Sequence, residues 1–197
     1  MKNKLKEFLT KDEASNVLRQ PNQRTLEGLR DYCILSLMIQ TGLRRAELCN
    51  LKRGSLIIGD NDVHLQIFGK GMKWRSIPIS DTNLLKCLGR YFKKVRNNNS
   101  PEAPMFYNLR SLTPGNPQPI TWATVRYLVP KYLRMAGIHK RITPHSLRHT
   151  FLTLTLQAGA DLGTVRDLAG HSNVSVTSTY LHTTEERKKE AIERLRL

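Results

Sequence analysis

The apolar residues of this chain change their spacing twice, and that limits the folds open to it more than any other feature. In the first fifty residues they recur every three or four positions, and Leu26, Leu29, Cys33 and Leu37 make one stripe, the pattern of a helix with one buried face. Further on the spacing drops to two. Val63, Leu65 and Ile67 alternate with His64, Gln66 and Phe68, and Ile77 and Ile79 repeat the alternation beyond a Gly69-Lys70-Gly71 turn, as half-buried strands require. Helical spacing then returns with Leu84, Leu88, Tyr91, Phe92 and Val95. The two periods predict a mainly helical α+β domain carrying one small antiparallel sheet of three strands.

Capping and breaking residues place the ends of these elements. Thr10-Lys11-Asp12-Glu13 is a capping box that opens a helix reaching about Gln20. Gly42 closes the second helix, and a short third one carries Arg44, Arg45, Glu47 and Leu48. Ser55 to Ile58, before a Gly59-Asp60-Asn61-Asp62 turn, supply the first strand, and residues 97–104 read as a loop. A helix from Thr121 towards Gly137 contains Pro130, which is expected to kink or interrupt it. Thr143 followed by Pro144 starts the next helix, ending near Gly159, and a short one covers residues 161–169. Thr183-Thr184-Glu185-Glu186 is a second capping box, followed by a stripe of Ala191, Ile192 and Leu195.

Thirty-two Lys and Arg against sixteen Asp and Glu give 197 residues a net charge of +16, which favours a polyanionic partner but names no chemistry. Cys33, Cys49 and Cys87 form no CxxC pair and read as reduced thiols of a cytoplasmic protein. The N-terminal MKNKLKEFLTKDEA lacks an apolar signal core, and the apolar stretch near Cys33 to Ile39 is too short to span a bilayer. A soluble, cytoplasmic protein with no membrane contact is expected.

Five segments share an order that points further. Thr41-Gly42-Leu43-Arg44-Arg45-Ala46-Glu47-Leu48 resembles the TGLRxxEL box of the tyrosine recombinases, the phage integrase family. Gly69-Lys70-Gly71-Met72-Lys73 looks like the hairpin that carries the family's lysine. Thr143-Pro144-His145-Ser146-Leu147-Arg148-His149 looks like its HxxR box. Gly170-His171-Ser172 is similar to its LGH box, and Tyr180 follows nine residues later, where the family places its nucleophile. The resemblance runs from about Phe8 to His182. It implies the tyrosine recombinase catalytic-domain fold, with Arg44, Lys70, His145, Arg148, His171 and Tyr180 as the catalytic set. Glu47 would support Arg44, and Arg45, Lys73 and Arg75 would contact DNA. The implied partner is double-stranded DNA, bound by a chain that is a monomer in solution and a tetramer on its site, with no metal or other cofactor. Residues 1–183 would be the catalytic domain and residues 184–197 a helical tail that docks on the chain's own body or, as a subunit-exchange element, on a neighbouring protomer; the family's usual N-terminal core-binding domain is expected to be absent. Ala169 stands where the LGH box usually has Leu, and Val176 where Thr is common.

The chemistry of these residue types fits. Walker, GxGxxG and HExxH motifs are absent from the sequence. A protein that cuts a phosphodiester without metal needs cations on the phosphate, a side-chain nucleophile and a donor for the leaving oxygen. Arg44 and Arg148 can clamp the non-bridging oxygens, although ion pairing is the commoner use of any single arginine. Glu47, three residues after Arg44, can orient it or simply form a helix-surface pair. Lys70 at a hairpin tip can protonate the 5′-oxygen, with Lys73 and Arg75 as neighbouring rivals. His145 can take the proton of Tyr180 and His171 can hydrogen-bond the phosphate; His149 reads as structural. Tyr180 follows the polar SNVSVTST stretch, whereas Tyr32, Tyr91 and Tyr127 lie on apolar patterns and read as core. Strand swivelling of the type IB topoisomerase kind, or DNA binding by a regulator with an idle site, are the competing functions.

Overall fold

The computed structural model describes residues 7–69, 74–95, 100–109 and 118–170. In chain order they form α1 (Lys11–Arg19), α2 (Leu26–Thr41), α3 (Arg45–Cys49), a 3-10 turn (Arg53–Ser55), β1 (Leu56–Ile58), β2 (Val63–Phe68), β3 (Trp74–Pro78), α4 (Thr82–Val95), α5 (Trp122–Met135), α6 (Pro144–Gln157) and α7 (Leu162–Ala169). The mainly helical architecture with one three-stranded sheet is the one the apolar spacing predicts.

The capping residues act as read. Thr10 Oγ1 accepts from the Glu13 amide at 3.2 Å while the Glu13 carboxylate accepts from the Thr10 amide at 2.8 Å, the reciprocal bonds that satisfy a helix start. α2 is buried far beyond its expected stripe, on every side from Gly28 to Ile39, because α4, α6 and α1 all pack against it. Polar groups on α2 are paired accordingly. Asp31 takes Arg30 Nη2 at 2.7 Å and the Tyr132 hydroxyl of α5 at 2.9 Å, so this buried pair is hydrogen-bonded rather than bare. The chain start is strapped to α6 by the Leu9 amide, which donates to Thr150 Oγ1 at 3.0 Å.

The sheet runs β1-β2-β3, antiparallel throughout. Leu65 faces Ile77 and Ile67 faces Arg75 across the β2–β3 ladder. Leu65, Ile67 and Ile77 are buried, so Arg75 shares the inward face of the sheet. On the outer face the rings of Phe68 and Trp74 meet at a tilt of 52°, with centroids 5.0 Å apart.

Two expectations need correction. Of the two outcomes expected at Pro130, a kink or an interruption, the interruption does not occur: α5 continues through it. Pro130 lies on the exposed face of the helix, where the carbonyl it leaves unbonded, four residues earlier, can turn to water, while the buried residues Val125, Leu128, Val129, Tyr132 and Leu133 hold the other face. Tyr127 is not core: it is 69% exposed, on the opposite side of α5 from that stripe, whereas Tyr32 and Tyr91 are buried. The three cysteines are free thiols, with Cys33 and Cys87 buried. Among the described residues no helix is long and apolar enough to cross a membrane. Residues 97–99 of the expected loop, and the whole tail with its capping box and apolar stripe, lie outside the described residues.

Candidate active site

The site begins where α2 ends. Gly42 has φ +60°, a left-handed turn that a side chain disfavours. Space excludes a side chain there as well, since a Cβ would lie 2.3 Å from Phe151 Cδ1. The turn sends Leu43 into the core and brings Arg44 to the threshold of α3. Arg44 is the N-cap of that helix, with extended backbone (φ −69°, ψ 150°), rather than a residue on its face. Its bond to Glu47 therefore has capping geometry: the Glu47 carboxylate accepts from the Arg44 amide at 2.7 Å and from Arg44 Nη1 at 2.7 Å.

Glu47 holds a second arginine. Arg75 reaches across from β3 and donates Nη1 to Oε1 at 2.9 Å and Nη2 to Oε2 at 2.8 Å, a two-pronged pairing of fork with carboxylate. Burial alone would raise the pKa of Glu47, but the hydrogen bonds from Arg75 and the Arg44 amide, with the charge of Arg75, outweigh it and lower the pKa to about 2. Glu47 is thus an anion throughout the physiological range.

The carboxyl end of α7 supplies the other half of the site. Asp161 caps the start of this helix through the Thr164 amide at 2.9 Å, and Gly170 closes it at φ +61°. A helix leaves its last carbonyls without internal partners and concentrates partial negative charge there. Here three successive carbonyls each take a different arginine. Leu168 accepts from Arg75 Nε at 3.2 Å, Ala169 from Arg148 Nη2 at 2.5 Å, and Gly170 from Arg44 Nη2 at 3.4 Å.

Arg148 and His145 come from α6. Thr143 caps that helix through the Ser146 amide at 3.2 Å, with Pro144 in the first turn as expected. His145 is exposed on the first turn, and Arg148, one turn along, is buried. Arg148 also donates Nη1 to the Gly42 carbonyl at 2.7 Å. His149 lies edge-on to Phe8, with ring centroids 5.6 Å apart.

Arg44, Glu47 and Arg148 therefore meet around residues 168–170, with His145 on the helix that carries Arg148. Lys70, Lys73, His171 and Tyr180 lie outside the described residues. Arg45 is exposed beside Arg44, and its guanidinium lies 5.5 Å from the centre of the Trp122 ring. Arg75, expected as a DNA contact, has its guanidinium engaged within the protein. Its side chain is 9% exposed, and its Nε and both Nη atoms donate to Glu47 and Leu168. Sequence reasoning missed this, although the signal was there: Arg75 and Ile77 on β3 and Ile79 just beyond it alternate inward, and an arginine at an inward position needs a carboxylate. It also missed Trp122, which Arg126 approaches at 5.9 Å as well.

Comparison with known proteins identifies the family. The model of the phage integrase family matches residues 7–187, and the chain belongs to that family. It is 37% identical over 195 residues to a tyrosine recombinase of Pseudothermotoga lettingae, an alignment covering 99% of this chain and 63% of that protein. The crystal structure of XerA recombinase superposes with a TM-score of 0.75 at 26% identity, over 97% of this chain and 65% of that one. The XerH site-specific recombinase in its post-cleavage complex has the same fold, with a TM-score of 0.79 at 23% identity, over 97% of this chain and 54% of that one. The chain thus spans less than two thirds of the length of each of these relatives.

Proposed function

We propose that this chain is the catalytic part of a site-specific DNA recombinase, breaking and rejoining duplex DNA through a 3′-phosphotyrosyl link on Tyr180. Attack of the Tyr180 oxygen on phosphorus breaks the bond to the 5′-oxygen; the tyrosine proton passes to His145, and Lys70 protonates the departing 5′-oxygen. A 5′-hydroxyl of a partner strand then attacks the phosphotyrosine, giving its proton to Lys70, while His145 returns its proton to the departing tyrosine oxygen. The phosphodiester energy is kept in the covalent link, so the cycle uses neither metal nor nucleotide. Arg44 and Arg148, with His171, bind the non-bridging oxygens, where charge grows in the transition state.

The observation that carries this reading is the convergence of Arg44 and Arg148 on the last carbonyls of α7, directly before His171 in the chain. The tyrosine recombinase named among the relatives supports the same chemistry. Double-stranded DNA lies across Arg45 and the exposed face of α5, where Arg126 and Arg134 extend the positive surface and Trp122 and Tyr127 add exposed rings. The chain is a monomer in solution and a tetramer on its site, joined through residues 184–197, and works in the cytoplasm.

A suicide DNA substrate, whose cut end diffuses away, tests the proposal. The unmodified chain leaves a denaturant-resistant protein–DNA adduct with EDTA present, and Tyr180→Phe binds DNA but forms none. An adduct that survives Tyr180→Phe would put the nucleophile elsewhere, and an adduct that needs magnesium would overturn the metal-free route.

A further inference from the structure

We infer that Arg75 is a positioning residue of the cleavage site, one that never touches DNA but fixes Glu47 and the carboxyl end of α7 so that Arg44 keeps its aim. The inference deepens the recombinase reading and rests on it.

The register of β3 dictates the geometry. Opposite Ile67 and two residues before Ile77, Arg75 must point inward, and a desolvated guanidinium is costly unless its donors are matched. They are matched on two different elements: Nη1 and Nη2 on Glu47 of α3, and Nε on Leu168 of α7. Its aliphatic stem closes against a third point. A Cβ at Gly170 would lie 3.0 Å from Arg75 Cδ and 3.3 Å from Nη1, so glycine there allows strand and helix end to approach this closely. Arg75 thereby ties β3 to α3 and to the residue that leads into His171.

The charge balance explains why a second arginine is needed. Glu47 Oε1 accepts from both Arg44 Nη1 and Arg75 Nη1. If Glu47 faced Arg44 alone, one carboxylate would neutralise one guanidinium, and the clamp would carry little charge towards a phosphate. With Arg75 sharing the carboxylate, two arginines and one glutamate leave one net positive charge. Arg44 is then held by its amide and Nη1, while among the described residues Nη2 makes only the long 3.4 Å contact to Gly170. Lysine cannot reproduce this role, because its three donors all sit on one nitrogen and form no flat fork able to span Glu47 and Leu168 together.

The test separates rate from binding in the full chain. Single-turnover adduct formation and DNA affinity are measured for Arg75→Ala, Arg75→Lys and Arg75→Gln from about pH 4.5 to 8, around and above the carboxylate range. The expected result for Arg75→Ala is a rate lower by about 100-fold, the scale of a misplacement of about 1 Å at a reacting centre, with DNA affinity changed less than about threefold, well below tenfold. Arg75→Lys recovers little of the rate. Arg75→Ala also gains an acidic limb in its pH–rate profile, because Glu47 without its forked partner titrates higher; loss of fold alone would not create one. Should Arg75→Ala fail to fold, Arg75→Lys and Arg75→Gln carry the same comparison. Unchanged rate, or a loss of affinity that accounts for the whole effect, overturns the inference. If the unmodified chain forms no adduct, the recombinase reading fails, and carboxyl carbon NMR of Glu47 still decides the positioning role. Its titration near 2 must move up in the Arg75 variants, and an unmoved titration overturns the proposal.

Discussion

Arg148 Nη1 donates to the carbonyl oxygen of Gly42 at 2.7 Å, so the residue that ends α2 also anchors, on α6, an arginine of the proposed clamp. One glycine thus serves twice. Its left-handed backbone turns Arg44 into place, and the same peptide group offers its oxygen to Arg148.

Gly42→Ala therefore disturbs both arginines at once. The methyl group meets Phe151 at 2.3 Å in a backbone conformation of φ +60°, and strain of both kinds should lower stability by about 3 kcal/mol. Urea unfolding is the measurement: the midpoint falls and the slope is unchanged. Under conditions where the variant stays folded, adduct formation falls by about tenfold or more, since both clamps are displaced.

Glu47 gives stability a characteristic pH dependence. Its folded pKa, about 2, lies below the unfolded value of about 4.3, so its contribution is complete above that unfolded value. The contribution fades as pH falls from there towards 2. Urea unfolding of the unmodified chain and Glu47→Gln should differ by about 3 kcal/mol at neutral pH, because the variant leaves two guanidiniums facing each other. The gap narrows steadily in acid. A gap independent of pH would show that Glu47 is not the titrating group.

The exposed face of α5 can be tested by salt. Arg126 and Arg134 are exposed on α5, so converting both to alanine should change stability by less than about 0.5 kcal/mol. If each touches a phosphate, the slope of log affinity against log salt becomes shallower by about 0.9 per residue. Fluorescence anisotropy over a salt series reads this directly.

The hairpin lysine is tested by changing the leaving atom. An alkoxide leaves only with a proton, whereas a thiolate, with a thiol pKa near ~8.5, leaves without one. Lys70→Ala should cut ordinary DNA very slowly and a substrate with bridging sulfur at nearly the unmodified rate. Rescue of Lys73→Ala instead would move the acid three residues along the hairpin.

Most of the fold was legible because its signals are local. Thr10, Gly42 and Thr143 mark helix ends by bonds made within three or four residues, and the alternation from Val63 to Ile79 fixes the strands. Pro130 misled because it was read from its own ring alone, and Tyr127 because apolar neighbours were taken for its own face of the helix. The buried stripe of α5 settles both, placing each on the solvent side, where a lost backbone bond or an aromatic ring is tolerated. Arg44, Glu47 and Arg148 were named from their motifs, and the structure brings them together. Arg75 was read by its charge, but the pleat of β3 turns it inward, and its partner Glu47 lies 28 residues earlier in the chain. Such a pairing shows only when the two elements are brought together.

The acceptors at the end of α7 have a consequence for variation. Leu168, Ala169 and Gly170 serve the arginines through main-chain oxygens, which any amino acid supplies. Ala169 occupies a place where the family usually has leucine, and its methyl group packs with Phe151, Leu152, Leu156 and Val165. Exchange there trades one apolar volume for another and leaves the acceptor in place. This part of the site is anonymous in the genetic code: single substitutions can tune how α7 sits, but none can delete the oxygens that hold the clamp.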